Sequence, residues 1–282
     1  MSYSSLKCVP RRYNKMIIDT LSSAKNPRIK ELASLQKNSS KRRECGLFVV
    51  EGVREVDACI NGGYIIESLF FVPGLFSEQK ALATGCPHLN IISEDVYSTV
   101  AYRGSTEGVI AIVREKRMVI DNVKLSENPL VIVLESVEKP GNLGAVLRTA
   151  DAAGVDAVIV CDPLTDLFNP NLIRSSLGAI FTMQVVACSS EECCLWLKRE
   201  KILIFTSEVQ ASEWYYNSDF TMPSALVMGS EANGLSQYWR DNADRRIKIP
   251  MKGFVDSLNV SVSAAILCFE AVRQRDSKED FT

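Results

Sequence analysis

The chain has 282 residues, and at about 150 residues per domain that length suggests two domains. Hydrophobic residues at 46%, charged residues at 23%, 15 Gly and 10 Pro exclude a disordered, collagen-like or low-complexity chain. The net charge of −2 conceals an asymmetry: residues 1–54 hold 12 Lys and Arg against 4 Asp and Glu, and the other 228 hold 20 against 30. A basic end on an acidic chain fits a face built for a polyanion, and equally a solvated arm.

Residues 1–15 lack periodicity and read as a flexible extension, with Met16 an alternative native start. Asn26 and Pro27 then suit the cap and first turn of a helix, whose apolar face is Ile29, Leu32, Ala33 and Leu35. The basic stretch 37–44 reads as a loop. A strand is expected at 46–50 and a helix at 53–60, stopped by Gly62 and Gly63. Strands follow at 68–72, 90–92 and 108–113, with Ser93 capping a helix between the last two. The single histidine, His88, sits beside Pro87 and reads as a surface-loop residue, which excludes His-based catalysis. Residues 16–113 thus form a small α/β domain, and the polar stretch 114–129 a linker.

Beyond it the rhythm strengthens, with strands expected at 130–134, 157–160, 184–187, 202–205, 225–228 and 246–249. Helices are expected at 143–153, 171–180 and 191–201, and a last one at 258–275. That last helix is apolar on nearly every side, so all its sides must be buried. At a chain end this is met more easily between subunits than within one, and a homodimer is expected. No apolar run approaches the ~20 residues of a membrane span. The N-terminus has basic residues with no apolar core after them, so it does not read as a secretory signal, and a cytoplasmic protein is expected. Nine cysteines without a C-x-x-C pair read as scattered buried thiols rather than a disulfide framework or a zinc site, and no metal is expected.

Three stretches carry polar residues where packing does not need them. In Lys139-Pro140-Gly141-Asn142-Leu143-Gly144-Ala145-Val146-Leu147-Arg148 a strand passes through a Pro-Gly loop into a helix. G-x-G-x-x-G and G-x-x-x-x-G-K-[ST] are both absent, which disfavours a dinucleotide or phosphate-loop site. Asn142 suits a helix cap; Arg148 either points to solvent or enters a cleft. In Met228-Gly229-Ser230-Glu231-Ala232-Asn233-Gly234 an apolar strand ends in a glycine followed by an acid, at the sheet edge where α/β proteins bind ligands. In Ser257-Leu258-Asn259-Val260-Ser261 polar groups stand at the mouth of the apolar helix, as a ligand site or as its N-cap.

In this order the three stretches resemble the SpoU (TrmH-like) family of RNA ribose 2′-O-methyltransferases, of the SPOUT class. Residues 169–179, Asn169-Pro170 through Arg174, Ser176, Gly178 and Ala179, resemble the family's N-P-x-x-x-R-x-S-x-G-A element. The resemblance implies a C-terminal α/β domain over 130–282 with a trefoil knot, preceded by a small α/β RNA-binding domain. It implies S-adenosylmethionine as cofactor and RNA as partner, ribosomal RNA ahead of transfer RNA. A non-catalytic RNA-binding protein of the same fold is the rival. Carried over, Asn142, Arg148, Glu231, Ser257 and Asn259 are the catalytic positions. Thr206, Ser207, Gly229, Ile249, Met251 and Leu258 are the cofactor positions, and Lys41, Arg42 and Arg43 are expected to contact RNA. Ala232-Asn233 departs from the Gly and acid that many members carry after the motif glutamate. Arg148 is expected to act on the ribose hydroxyl; with a pKa above ~12 it is a poor base, and stabilising an alkoxide or clamping a phosphate are equally open to it.

Overall fold

The computed structural model describes residues 16–102, 107–211 and 213–279, so the expected extension over 1–15 lies outside the described residues. The N-terminal half opens with a strand that periodicity did not announce, β1 (Ile17–Leu21). It continues through α1 (Pro27–Lys37), α2 (Ser39–Cys45), β2 (Leu47–Glu51), α3 (Val53–Asn61), β3 (Ile66–Phe71), α4 (Glu78–Ala83), β4 (His88–Ile92), α5 (Glu94–Val100) and β5 (Val109–Arg114). The strands form one sheet in the order β1-β4-β3-β5-β2. β1, β4 and β3 run parallel, and β5 is antiparallel to β3 and β2. His88 opens β4 half-buried instead of lying in a surface loop.

α1 forms as its sequence dictates. Asn26 Oδ1 accepts the Arg28 N–H at 2.9 Å, Pro27 takes the first turn, and Ile29, Leu32 and Leu35 are buried. The stretch 37–44 is not a loop. Asn38 Oδ1 accepts the Ser40 and Lys41 N–H groups at 2.9 and 3.2 Å and starts α2, which Gly46 ends at φ 63°. Arg42 is the one buried residue of this helix, so it shows no apolar period.

The C-terminal half comprises β6 (Leu130–Glu135), α6 (Pro140–Ala152), β7 (Ala157–Cys161), α7 (Pro170–Ser175), α8 (Ala179–Thr182), β8 (Val185–Cys188), α9 (Ser190–Arg199) and β9 (Leu203–Ser207). It ends with β10 (Glu213–Trp214), β11 (Ser224–Met228), α10 (Gln237–Asn242), β12 (Arg245–Lys248) and α11 (Val260–Glu279). The sheet order is β10-β12-β9-β11-β6-β7-β8 and every described pairing is parallel. Val131 to Leu134 and Ala225 to Val227 have no exposed surface, as central parallel strands covered on both faces require. α6 and α11 share one core with the sheet, and α9 and α10 share the other. The single helix expected over 171–180 is two, broken at Leu177 (φ 51°) and Gly178 (φ 89°). A Cβ on Gly178 would stand 2.6 Å from the Ala58 Cβ, so the glycine lets α3 approach.

The two sheets are joined by packing. Phe48 stacks on Phe168 (ring centroids 4.3 Å) and Phe181 (5.9 Å), and Tyr64 meets Phe181 edge-on at 5.2 Å. Residues 115–129 are anchored as well: Ile120 is buried, and Met118 forms a parallel bridge to Val186. Arg42 belongs to this junction. Its side chain is buried, its Nε donates to Asp166 at 2.7 Å, and its Nη1 donates to the carbonyls of Leu35 (2.6 Å) and Gln36 (3.1 Å). The expectation that Arg42 contacts RNA is therefore corrected: its guanidinium is buried and turned to Asp166 and the α1 carbonyls, so it is not presented to a phosphate.

α11 also differs from expectation. Val260, Ala264, Leu267, Cys268 and Ala271 are buried, but Val262 (46%) and Phe269 (48%) are exposed. Within one chain the helix is covered on one face, and the opposite face is apolar and bare.

Replacing Arg42 by Ala leaves Asp166 unpaired and two carbonyls without their donor. It is expected to destabilise the fold by about 3 kcal/mol or more, read as a lowered midpoint in urea; an unchanged midpoint would show that the pair is dispensable.

Candidate active site

The carboxyl ends of β9, β11, β12 and β6 lie side by side, and the loops leaving them carry most of the expected site residues. After β6 the chain turns into α6 with Pro140 in the first turn. The N-cap position is Lys139, which makes no side-chain cap bond. Asn142 is thus inside the helix rather than its cap, and its side chain is free to reach across the sheet edge.

It reaches Glu231, in the loop after β11. Glu231 Oε1 accepts from Asn142 Nδ2 at 2.8 Å and from Asn259 Nδ2 at 2.5 Å, while Oε2 accepts from Lys139 Nζ. Asn259 Nδ2 also lies 3.2 Å from Asn142 Oδ1. Asn259 Oδ1 accepts from the Ser261 N–H (3.0 Å) and hydroxyl (2.6 Å), so Asn259 caps α11 and serves the cluster at once. Of the two readings of that stretch, the N-cap is the one the hydrogen bonds show. The Lys139 ammonium holds the Glu231 carboxyl below its ordinary value of 4.5, and the carboxylate in turn raises Lys139.

Gly229 has a physical reason of its own. A Cβ there would stand 2.1 Å from the Gly234 carbonyl carbon, because residues 230–234 fold back on the strand end through a Ser230–Gly234 bridge. The close approach at this glycine is made by the chain itself, and it presents Glu231. Thr206 is buried near the end of β9, with its hydroxyl 3.3 Å from Glu208 Oε1 and 3.5 Å from the Arg245 carbonyl. Ser207, the last residue of β9, and Ile249, Met251 and Leu258, in the segment between β12 and α11, are half-buried. Half-buried apolar side chains flanked by strand-end backbone groups fit a heteroaromatic nucleoside held by backbone hydrogen bonds.

Two expected positions stand apart from this cluster. The Ser257 hydroxyl donates to Asp256 Oδ1 at 3.0 Å and is exposed. Arg148 follows Asn142 by six residues, about 9 Å along the axis and roughly 120° around it. It is exposed and lines a groove of about 840 Å³ between α3 and α8, with Arg54, Asp57, Glu107 and Asp151 among the walls. No hydrogen bond or ion pair joins Arg148 to a described residue. Sequence reasoning missed Lys139; its one signal was a cation three residues before Asn142, beside a motif that also contains an acid.

Residues 129–269 match the model of the SpoU rRNA Methylase family, and residues 26–111 match that of the MRM3-like substrate binding domain. The chain is 29% identical to the 23S rRNA (uridine(2479)-2′-O)-methyltransferase of Streptomyces viridochromogenes, over 90% of this chain and 92% of that protein. It is 29% identical to the 23S rRNA (guanosine(2553)-2′-O)-methyltransferase RlmP of Bacillus subtilis, over 88% and 97%. The solved structure of an AdoMet-bound rRNA methyltransferase from Sinorhizobium meliloti superposes with a TM-score of 0.83 at 28% identity, covering 91% of this chain and 98% of that one. The fold and the two matched regions define a two-domain α/β methyltransferase with a substrate-binding module in front. The chain belongs to the SpoU rRNA methylase family. Its activity is methyl transfer from S-adenosylmethionine to an RNA ribose 2′-hydroxyl.

Lys139 generates a pH prediction. Glu231's carboxyl is depressed, so its charged, hydrogen-bonding form is present above the ordinary carboxylate value and is lost as pH falls through the folded one. Lys139→Met removes the largest cause of that depression. The acid limb of a single-turnover methylation profile should therefore move to higher pH; an unmoved limb would detach Lys139 from the site.

Proposed function

We propose that this protein methylates a ribose 2′-hydroxyl of 23S ribosomal RNA in the cytoplasm, as a homodimer built on the C-terminal domain. The observation that carries the reading is the Glu231 carboxylate gathering Lys139, Asn142 and Asn259 at the carboxyl edge of the parallel sheet. The relatives named above supply the RNA class. They act on different bases at equal identity to this chain, so the target nucleotide is a matter for experiment.

S-adenosylmethionine supplies an electrophilic methyl group on a sulfonium. Thr206, Ser207, Gly229, Ile249, Met251 and Leu258 are the residues that hold it, in a loop region whose return through the chain forms the trefoil knot. Asn142, Glu231 and Asn259 would orient the reacting ribose beside the cofactor, with Ser257 at the rim. The family resemblance assigns Arg148 to the 2′-hydroxyl, although within one chain it lines a groove apart from the Glu231 cluster. The acids Asp57, Glu107 and Asp151 in its groove favour contact with a neutral hydroxyl over a phosphate clamp. Residues 16–113 bind the RNA, where Lys41 and Arg43, on α2 and outside the core, are the phosphate partners in place of buried Arg42.

The decisive experiment is incorporation of labelled methyl groups into 23S rRNA, with ribose methylation mapped in a deletion strain against wild type. No site lost in the deletion strain and no incorporation would reject the reading. Arg148→Lys keeps the charge but loses the planar fork. It should lose methyl transfer on the order of a hundredfold, as removal of an oxyanion donor does, with cofactor titration unchanged. Near-native turnover would remove Arg148 from the mechanism.

The dimer rests on α11. Val262, Ile266 and Phe269 recur at four and three residues and form a stripe opposite the buried one. Val262→Asp with Phe269→Glu should yield monomers by light scattering. A wild-type protein that is monomeric at micromolar concentration would overturn the assignment.

A further inference from the structure

Cysteine spacing announces no metal site, yet the fold assembles three thiols at the far side of the C-terminal sheet from Glu231. Cys161 is the last residue of β7 and Cys188 the last of β8, and they are partners in register. Partners on parallel strands present their side chains to the same face. Cys193, in the first turns of α9, packs over that face. The three sulfur atoms all lie within 4.8 Å of one another. Sulfurs bound to one Zn²⁺ at ~2.3 Å stand roughly 4 Å apart, so the cluster needs a contraction of under about 1 Å to close on an ion.

We propose that Cys161, Cys188 and Cys193 form a Zn²⁺ site with three thiolate ligands and a fourth position open to an exogenous ligand. The donor chemistry selects the ion: an all-sulfur set suits soft, thiophilic cations and disfavours Mg²⁺ or Ca²⁺, which take oxygen. Cys161 and Cys193 are buried while Cys188 is half-buried, so the Cys188 side is the one from which an ion and a fourth ligand would approach. Its surroundings are ordered by hydrogen bonds. Asp162, beside Cys161, accepts from the Ser190 N–H (3.2 Å) and hydroxyl (2.6 Å) at the start of α9. Cys161 is also the register partner of Glu135, whose carboxylate accepts the Ser236 N–H at 2.7 Å. Ser236 follows the loop that presents Glu231. An ion at the three thiols clamps α9 to the ends of β7 and β8, one strand away from the loop support of the methyl-transfer edge. The spacing of 26 residues between the first two ligands and four between the last two belongs to no short motif, because the strands and not the sequence bring them together.

The test uses the full chain, reduced and stripped by chelation, titrated with Co²⁺ as a spectroscopic stand-in and then with Zn²⁺. A thiolate-to-cobalt charge-transfer band saturating at one ion per chain, displaced by Zn²⁺, with a Zn²⁺-dependent rise in Tm, is the expected result. Cys188→Ser, at the half-buried ligand, should weaken binding by at least on the order of a hundredfold, the upper end of what outer-shell changes alone cost. Cys161→Val, which fills the same core space, should abolish the band in a protein whose circular dichroism is unchanged. Cys45→Ser, distant and half-buried, should leave the band intact. Absence of the band in the reduced wild type, its persistence in Cys188→Ser and Cys161→Val, or a native mass showing two of these thiols joined as a disulfide would each overturn the proposal. None of these readouts depends on methyl transfer.

Discussion

The construction of the site turns on one carboxylate. Glu231 receives hydrogen bonds from Lys139 and Asn142 at the start of α6 and from Asn259 at the start of α11, segments about ninety residues upstream and nearly thirty downstream of it. A carboxylate is acceptor-only when ionised, with room for about four donors, so it can fasten three chain segments to one another at the sheet edge. That requirement explains the local peculiarities around it. Asn142 is released from capping because Pro140 starts α6, while Asn259 offers its oxygen to the α11 backbone and its amide to Glu231. Lys139 supplies the charge that holds the Glu231 carboxyl below the ordinary value.

The same constraint explains Gly229. At the end of a central parallel strand the chain must turn back at once to place Glu231 over the edge, and the Gly234 backbone occupies the volume where a Cβ would be. The sequence pattern drew attention to this glycine as a place for ligand approach. The structure shows that approach of the loop to its own strand already requires it. The strand ends are thereby covered by backbone rather than by long side chains, a surface suited to a cofactor recognised through amides and carbonyls.

Legibility followed the strength of local pattern. The central strands were legible because burial on both faces leaves continuous apolar runs, and β6, β7, β9, β11 and β12 fall within a few residues of expectation. Asn142, Glu231 and Asn259 were legible as polar residues out of place, and the family resemblance supplied their roles. What local pattern does not encode was lost: α2 is too short for a period, Ile17–Leu21 is an exposed edge strand, and the 171–180 helix is interrupted by a packing demand from Ala58. Lys139 and Arg42 were misjudged for one reason. A cation in the sequence carries no label of whether its partner is solvent, RNA or a carboxylate more than ninety residues away.

Arg42 and α11 show how burial redistributes a composition. The basic N-terminal segment looked like a uniform polyanion surface, but Arg42 is drawn into the junction where Phe48, Phe168 and Phe181 stack, leaving its neighbours Lys41 and Arg43 outside. In α11 the apolar excess divides the other way: one face completes the core of its own chain, and the opposite face is left with Val262 and Phe269 in solvent. A helix of that kind has no amphipathic solution in a lone chain. Its second face is accounted for when a like surface covers it, and a two-fold pairing meets that need because the patch is presented identically by both partners.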